Sequence, residues 1–215
     1  MLVAIDAWAG ISAYGSAWWV ARALSGSLVD TNLLLRGLLK SAVEARVDLR
    51  HPSAVQSFCD RATVQTRFSP RSNRFQEMEL AVNGHWFSRM ELEHVPSPTS
   101  IWPAFAPLHD MIRHLLPAIP QNGRAVMLGR DVGRSLFPDT PFKFFFHTTA
   151  HPDSSEAHTY PELQPPSRTE HYCVVRTWRG FKILMIDAAR LPASEAGGII
   201  LAECTLRATE ARPED

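Results

Sequence analysis

Arginine and aspartate occur close together at two places in the chain. Asp30 precedes Arg36 in one stretch, and Arg130 and Asp131 stand side by side just before Arg134 in the other. A guanidinium binds a carboxylate or phosphate through paired hydrogen bonds, so these arginines are candidates to hold an anionic group. We predict that Arg130 and Asp131 are catalytic and that Asp30, Arg36 and Arg134 bind substrate, with either aspartate as a possible base. The alternative is that these Arg–Asp pairs only hold loops together.

A second group of candidates is aromatic and lies near the N-terminus. Trp8, Tyr14, Trp18 and Trp19 surround a turn of small residues and the start of a predicted helix. Ligand pockets are mostly apolar with a few polar groups, so Trp8 and Trp18 are predicted to bind an apolar or aromatic small molecule. Tyr14 is predicted to act as a catalytic proton donor. The alternatives are that the bulky side chains fill the space themselves, or that Trp19 packs in the core.

Two further candidates stand at the ends of predicted strands. Asp6 closes a strand over residues 2–6, and His147 follows a strand over residues 142–146. Ligands of open α/β sheets bind at the carboxyl ends of the strands, so Asp6 is predicted to be catalytic and His147 to bind substrate. Asp6 could instead cap its loop, and a lone histidine is more often a packing or surface residue. No His/Cys/Asp cluster has metal-ligand spacing, so we expect no metal.

Alternating strands and helices must position these residues. Strands are predicted over residues 2–6, 28–29, 124–128, 142–146 and 183–186, and helices over 16–24, 31–46, 51–61, 104–116 and 193–207. Residues 62–68 and 76–82 alternate in polarity and lead to an Asn-Gly turn, which predicts a small antiparallel insert. The alternation of strands with helices predicts an α/β fold with a parallel central sheet and helices on both faces.

Composition narrows the class of protein. The 215 residues include 22 basic and 22 acidic side chains, and this zero net charge argues against nucleic acid as a partner. Three cysteines without paired spacing indicate a reducing, cytoplasmic location. No apolar run is long enough to cross a membrane, and the N-terminus is predicted to be a strand and not a signal peptide. We expect a small-molecule ligand, apolar with an anionic group, and a monomer or homodimer.

Four stretches carry a resemblance to a known family. Residues 5–6 with 20–24 match a first strand and helix, and residues 28–31 with Arg36 are similar to L-D-T-G-x-x-Y-R. Residues 129–133 with 137–139 are similar to D-G-R-D-I-G-T-V-V-F-P-D, and residues 186–187 with 191 match a last strand. Over nearly its whole length the chain thus resembles bacterial cytidylate kinases, which are P-loop nucleoside monophosphate kinases.

The resemblance implies a three-layer α/β/α fold with a parallel central sheet, as a single domain over residues 1–215. It implies a small insert over about residues 62–100 that binds the nucleoside monophosphate, and a shortened lid over about residues 150–180. It also implies that Asp30, Arg36, Arg130 and Asp131 lie where the family binds that nucleotide.

The first loop departs from the family pattern G-x-x-x-x-G-K-[ST]. In the family the loop amides cradle phosphate, the lysine reaches the outer phosphates and the hydroxyl holds magnesium. Counted without gaps, Ala13 replaces the lysine and Tyr14 replaces the Ser/Thr. A second register, which aligns the loop glycines differently, puts Ser16 and Ala17 at these positions. In both registers the phosphate-binding lysine is absent.

Other family positions differ as well. Leu92 replaces an arginine of the monophosphate site, Leu128 replaces an acid, and no arginine lies between Arg134 and Arg168, where the family's lid supplies several. Because phosphoryl transfer depends on such charged groups, we expect the kinase activity to be lost and neither ATP nor Mg²⁺ to serve as a cofactor.

Three functions stay open. The first is a cytidylate-kinase-like protein that performs ATP-independent acid–base chemistry, namely cyclisation, elimination, isomerisation or hydrolysis, on a small molecule of specialised metabolism. The second is a non-catalytic pseudokinase that binds a nucleotide or a protein partner. The third is a (d)CMP kinase with an unusual first loop.

Overall fold

The computed structural model describes residues 1–8, 10–72, 75–95, 102–116, 123–148, 173–178 and 180–210. Its elements, in chain order, are β1 (Leu2–Ala7), α1 (Tyr14–Leu24), β2 (Ser27–Asp30), α2 (Thr31–Glu44), α3 (Pro52–Cys59), β3 (Val64–Ser72), β4 (Phe75–Val82), β5 (His85–Phe87), α4 (Arg89–Glu93), α5 (Trp102–Leu115), β6 (Ala125–Gly129), a π-helical turn (Val132–Leu136), β7 (Phe142–His147), β8 (Cys173–Trp178), β9 (Phe181–Asp187) and α6 (Ala193–Glu210). They divide into two compact units, the first made of residues 1–28 and 122–215 and the second of residues 29–121.

The first unit is built around parallel strands. β1 pairs with β6 on one side and β7 on the other, β9 continues the sheet beyond β7, and β8 runs antiparallel to β9. Five of the six residues of β1 and of β7 are buried, as expected for strands covered on both faces. The predicted α/β fold with a mostly parallel sheet is thereby confirmed.

Two helices of the first unit pack closely because small residues meet along their contact. α1 buries Ser16, Ala17, Val20 and Ala21. A Cβ atom added at Gly197 of α6 would lie 2.9 Å from Cβ of Trp19 on α1. The Trp19 side chain is nevertheless 44% exposed, so it is not a core residue.

The second unit places helices against an antiparallel ribbon. β3, β4 and β5 pair in sequence, and Asn83 and Gly84, which join β4 to β5, both have positive φ, as a tight hairpin turn requires. α2 lies close enough to β4 that a Cβ at Gly37 would meet Cδ2 of Leu80. That residues 62–100 form an insert that binds the nucleoside monophosphate stays a prediction.

The structure can be compared with the predictions for the lid, the cysteines and membrane spans only over the described residues. Most of the predicted lid, residues 150–180, lies outside them, since only 173–178 and 180 of that range are described. All three cysteines are free, two of them buried and Cys173 half-buried. In the described part of the chain no helix has the length and apolar character needed to cross a bilayer.

Candidate functional site

Asp6 lies at the carboxyl end of β1 and binds the turn that follows β6. Its carboxylate, 6% exposed, accepts hydrogen bonds from the backbone N–H groups of Val132 at 2.6 Å and Gly133 at 2.8 Å. Burial raises the pKa of Asp6 to about 7, against the lowering effect of these two bonds. A Cβ at position 133 would lie 3.3 Å from the Asp6 carboxylate, so glycine allows the close approach. The sequence alternative was that Asp6 caps the loop after β1, whereas in the structure its carboxylate binds the turn after β6.

Asp131 immediately precedes the same turn, Arg134 lies within it, and the two side chains bind each other. The Arg134 Nε atom donates to the Asp131 carboxylate at 2.6 Å, with side chains 33% and 18% exposed. Both charges act on Asp6, since Asp131 raises its pKa and Arg134 lowers it. Arg130 is half-buried directly after β6. The structure therefore brings Asp6, Asp131 and Arg134 together, and an anionic ligand would have to compete with Asp131 for Arg134.

The aromatic residues of the first loop separate into two places. Trp8 is 2% exposed and packs on Phe145, Ile183 and Met185 in the core of the first unit. Trp18 lies half-buried on α1, where Arg22 covers its ring at 5.3 Å. Tyr14 is half-buried as the first residue of α1. The rings of Trp8 and Trp18 thus have different neighbours, and their shared role in ligand binding stays a prediction.

His147 ends β7 and lies beside Trp8. It is 3% exposed, its ring centroid is 6.0 Å from that of Trp8, and its register partner on β9 is Asp187. Burial lowers the pKa of His147, and the nearby Asp187 opposes this shift. The imidazole is therefore favoured in its neutral form, as a ligand-binding or packing group.

The first loop fits ATP–Mg²⁺ only in part. α1 begins at Tyr14 after an N-cap at Ala13 that makes no side-chain hydrogen bond. Residues 7–17 contain no lysine or arginine. Across the described ranges, no three His, Cys, Asp or Glu side chains are grouped so as to hold a metal ion. The loop therefore lacks the side-chain cation with which the family's lysine reaches the outer phosphates.

A charged network forms the polar side of the second unit. Arg89 donates from Nη2 to Glu77 at 2.9 Å and to Asp30 at 3.3 Å, and from Nη1 to Glu93 at 3.4 Å. The side chains of Asp30 and Glu77 are each 9% exposed and that of Arg89 is 25% exposed. Burial raises the pKa of Asp30, and Arg89 opposes the shift. Asp30 also caps α2 by accepting from the Asn32 N–H.

This network borders a pocket of about 270 Å³. The pocket is lined by the apolar side chains of Leu33, Met78, Leu80, Phe87 and Leu92 and by Glu77, Glu79, Ser88 and Arg89. An apolar wall with a few fixed charges is typical of a small-molecule site.

Arg36 lies in the same unit, on α2. Its Nη1 atom donates to the carbonyl oxygens of Leu92 and Glu93, each at 3.5 Å, where α4 ends. Its buried Nε atom has no hydrogen-bond partner among the described residues. Arg36 therefore retains capacity for a ligand, and its predicted role in anion binding stays a prediction.

Arg89 and Glu77 line this pocket, and the sequence did not identify them as candidates. The gapless count placed Leu92 at the family's arginine position, and Arg89 lies one helical turn earlier on α4, lining the same pocket. The available signal was the capping box of Ser88 and Glu91, which starts a helix at Arg89. Residues three apart on a helix share a face. Arg89 therefore places a guanidinium on the side of α4 where the family arginine would stand at position 92.

Comparison with known proteins finds similarity to cytidylate kinases. The sequence profile described as cytidylate kinase matches residues 3–165. The chain is 27% identical to a cytidylate kinase of Clostridium tetani over 173 residues, which is 80% of this chain and 72% of the relative. It is 27% identical to a cytidylate kinase of Limosilactobacillus fermentum over 69% of this chain and 64% of the relative, so it spans less than two thirds of that protein. A bifunctional pantoate ligase/cytidylate kinase of Synechococcus elongatus is 24% identical over 69% of this chain and 28% of its own length.

These matches correct one prediction. Kinases take phosphate from ATP with Mg²⁺, so the expectation that ATP and Mg²⁺ have no part is wrong for a chain whose relatives are named as cytidylate kinases. The departures in the first loop remain facts of the sequence, yet they do not place the chain outside the family. The profile covers well over half of the 215 residues, and the chain belongs to the cytidylate kinase family.

Proposed function

We propose that the protein binds a cytidine monophosphate and transfers phosphate to it from ATP–Mg²⁺ much more slowly than relatives that have a lysine in the first loop. The observation that carries the proposal is the pocket of the second unit, where Arg89 is held between Asp30 and Glu77 beside an apolar wall. Such an ordered guanidinium, together with carboxylates that accept hydrogen bonds, suits the polar edge of a planar base.

The phosphate group of the ligand is assigned to Arg36. Its Nε atom is buried without a partner among the described residues, while Nη1 alone is used by two carbonyl oxygens. A phosphate would supply the missing acceptor through a charge-assisted hydrogen bond. The family motif that ends in this arginine supports the assignment.

The slow transfer follows from the first loop. A charge-assisted hydrogen bond contributes about 1.5–3 kcal/mol, so the loss of such a bond in the transition state lowers kcat/KM by about 10- to 150-fold. The N-terminus of α1, the positive end of a helix, is the proposed site for the phosphates of ATP. The proposal therefore retains ATP and Mg²⁺ as reactants and assigns the weakness to the missing lysine.

Calorimetric titration with CMP tests the binding step. Wild type should bind CMP, and Arg36→Met and Glu77→Gln should each weaken binding by about tenfold or more. Arg50→Met is the control, because Arg50 is an exposed residue that pairs with Asp48 and is not among the residues that line the pocket. Absence of CMP binding by the folded wild type, or equal binding by all three variants, would refute the assignment.

The same preparation separates the other functions inferred from sequence. Formation of CDP from CMP and ATP–Mg²⁺, measured by ion-exchange chromatography, supports the proposal. Binding of CMP without any CDP formation would favour a pseudokinase. If the protein neither binds CMP nor forms CDP but converts another small molecule, the result would favour ATP-independent acid–base chemistry on a specialised metabolite.

A further inference from the structure

Two buried ring nitrogen atoms of the first unit have no hydrogen-bond partner among the described residues. They are Nε1 of Trp8 and Nδ1 of His147. The two side chains are 2% and 3% exposed, and their rings meet edge to face with centroids 6.0 Å apart. Buried polar groups nearly always have a partner because an unpaired one destabilises the fold. Two neighbouring unpaired nitrogens therefore indicate a shared acceptor.

The position of this pair is that of a ligand site. The backbone N–H of Trp8 donates to the carbonyl of Phe146 at 3.2 Å, which extends the pairing of β1 with β7 by one residue. His147 is the last residue of β7, and its register partner Asp187 is the last residue of β9. Three parallel strands thus end beside the two nitrogens. The carboxyl ends of such strands are where open α/β sheets bind ligands.

The surroundings define the chemistry of the missing group. The Trp8 indole can only donate a hydrogen bond, so the group must be an acceptor. Asp187, whose Oδ1 accepts from the Ala189 N–H, places a negative charge opposite His147 and disfavours an anion. The apolar residues Phe145, Met185 and Ile11 pack around Trp8.

We propose that Trp8 and His147 form a binding site for an uncharged small molecule that places a carbonyl oxygen between the indole and imidazole nitrogens. A carbonyl oxygen has two lone pairs and accepts from both rings at once. The site lies in the first unit and uses none of the residues assigned to CMP. The proposed carbonyl site can therefore be tested independently of the proposed function.

Three probes that share one ring test the site: benzamide, benzoate and toluene. In ¹H–¹⁵N spectra, the indole signal of Trp8 is identified by its loss in Trp8→Phe. Benzamide should shift this signal, and benzoate should bind at least about tenfold more weakly because its charge meets that of Asp187. Toluene, which has no acceptor, should leave the signal in place.

Variants of each residue provide the controls. Trp8→Phe should weaken benzamide binding by about tenfold, whereas Trp19→Phe, at an exposed indole, should leave it unchanged. Asparagine carries its nitrogen on Cγ, as histidine carries Nδ1, so His147→Asn should retain binding and His147→Gln should lose it.

Three results would overturn the proposal. They are an unchanged Trp8 signal with every probe, equal affinity for benzamide and benzoate, and a long-lived internal water in contact with the Trp8 indole proton that benzamide does not displace. CMP affinity is measured in Trp8→Phe alongside, and an unchanged value there separates failure of this site from failure of the CMP site.

Discussion

The carboxylate of Asp6 accepts a hydrogen bond of 2.8 Å from the backbone N–H of Gly133, a residue 127 positions further along the chain. This bond joins the end of β1 to the π-helical turn that follows β6, and that turn begins next to Asp131. The position of Asp131 and its partner Arg134 therefore depends on a buried carboxylate that does not face solvent.

Asp6→Asn should remove a pH dependence from the stability of the fold. The pKa of Asp6 is about 7 in the folded protein and 3.8 ordinarily, so the folded state binds the proton more tightly. Its contribution to stability is fully present below about pH 4 and is lost as the pH rises through about 7. Asparagine is an uncharged isostere of the protonated carboxyl and does not titrate. Urea unfolding followed by tryptophan fluorescence should show wild type losing stability relative to the variant over this range, and parallel pH curves would contradict the shift.

Arg89→Met should destabilise the protein at pH 7 by about 2–4 kcal/mol, since it leaves Asp30 and Glu77 nearly buried without their cation. Arg89 holds down the pKa of Asp30, so its loss raises that pKa further and lets the folded variant take up a proton sooner on acidification. The loss of stability should consequently be smaller at pH 4–5 than at pH 7. Chemical denaturation at both values measures it. Arg50→Met, which removes an exposed pair, should cause no measurable change.

Two adjacent glycines of α6 should respond in opposite directions to alanine. A Cβ at Gly197 would lie 2.9 Å from Cβ of Trp19, so Gly197→Ala should cost about 1–3 kcal/mol. A Cβ at Gly198 meets no atom within 4 Å, so Gly198→Ala should stabilise the helix by about 0.5–1 kcal/mol. Thermal unfolding of both variants, compared with wild type, measures the two changes in stability. Destabilisation of equal size in the two variants would argue against the close packing of α1 on α6.

Ala13→Lys should increase the rate of CDP formation by about tenfold, because it returns a cation to the start of α1 beside the first-turn N–H groups. Ala13→Met, of similar length and without charge, is the matched control. Steady-state assays with CMP and ATP–Mg²⁺ measure the rates, and melting temperatures confirm that both variants remain folded at this buried position. Equal rates in the two variants would show that charge at this position is not what limits transfer.

The buried strands could be predicted from sequence because parallel strands covered on both faces are continuous apolar runs. β1 and β7 lie within one residue of their predicted limits at each end. α4 was not predicted, since its five residues are too short for a periodic signal and only its capping box marks it. β8 was also missed, since Cys173–Trp178 is short and follows a polar, proline-rich stretch.

Asp131 and Arg134 could be identified from sequence because one motif keeps them close together. Asp131 and Arg134 are three positions apart and form the ion pair that this spacing allows. Arg89 is 59 positions from Asp30 and 12 from Glu77, on different elements, so only the folded chain brings them together. Pairs of residues that are far apart in sequence, such as Arg89 and Asp30, therefore could not be recognised from sequence motifs.

The packing of Trp8 has a consequence for how the first loop can be exchanged. The loop starts from a side chain that fills space between Phe145, Ile183 and Met185. A loop grafted whole from a relative without tryptophan at that position would leave a cavity there, and truncation of a buried tryptophan costs about 3–5 kcal/mol. Any recovery of a phosphate-binding loop by recombination would therefore have to refill the core at the same time, whereas single substitutions beyond Trp8 would not.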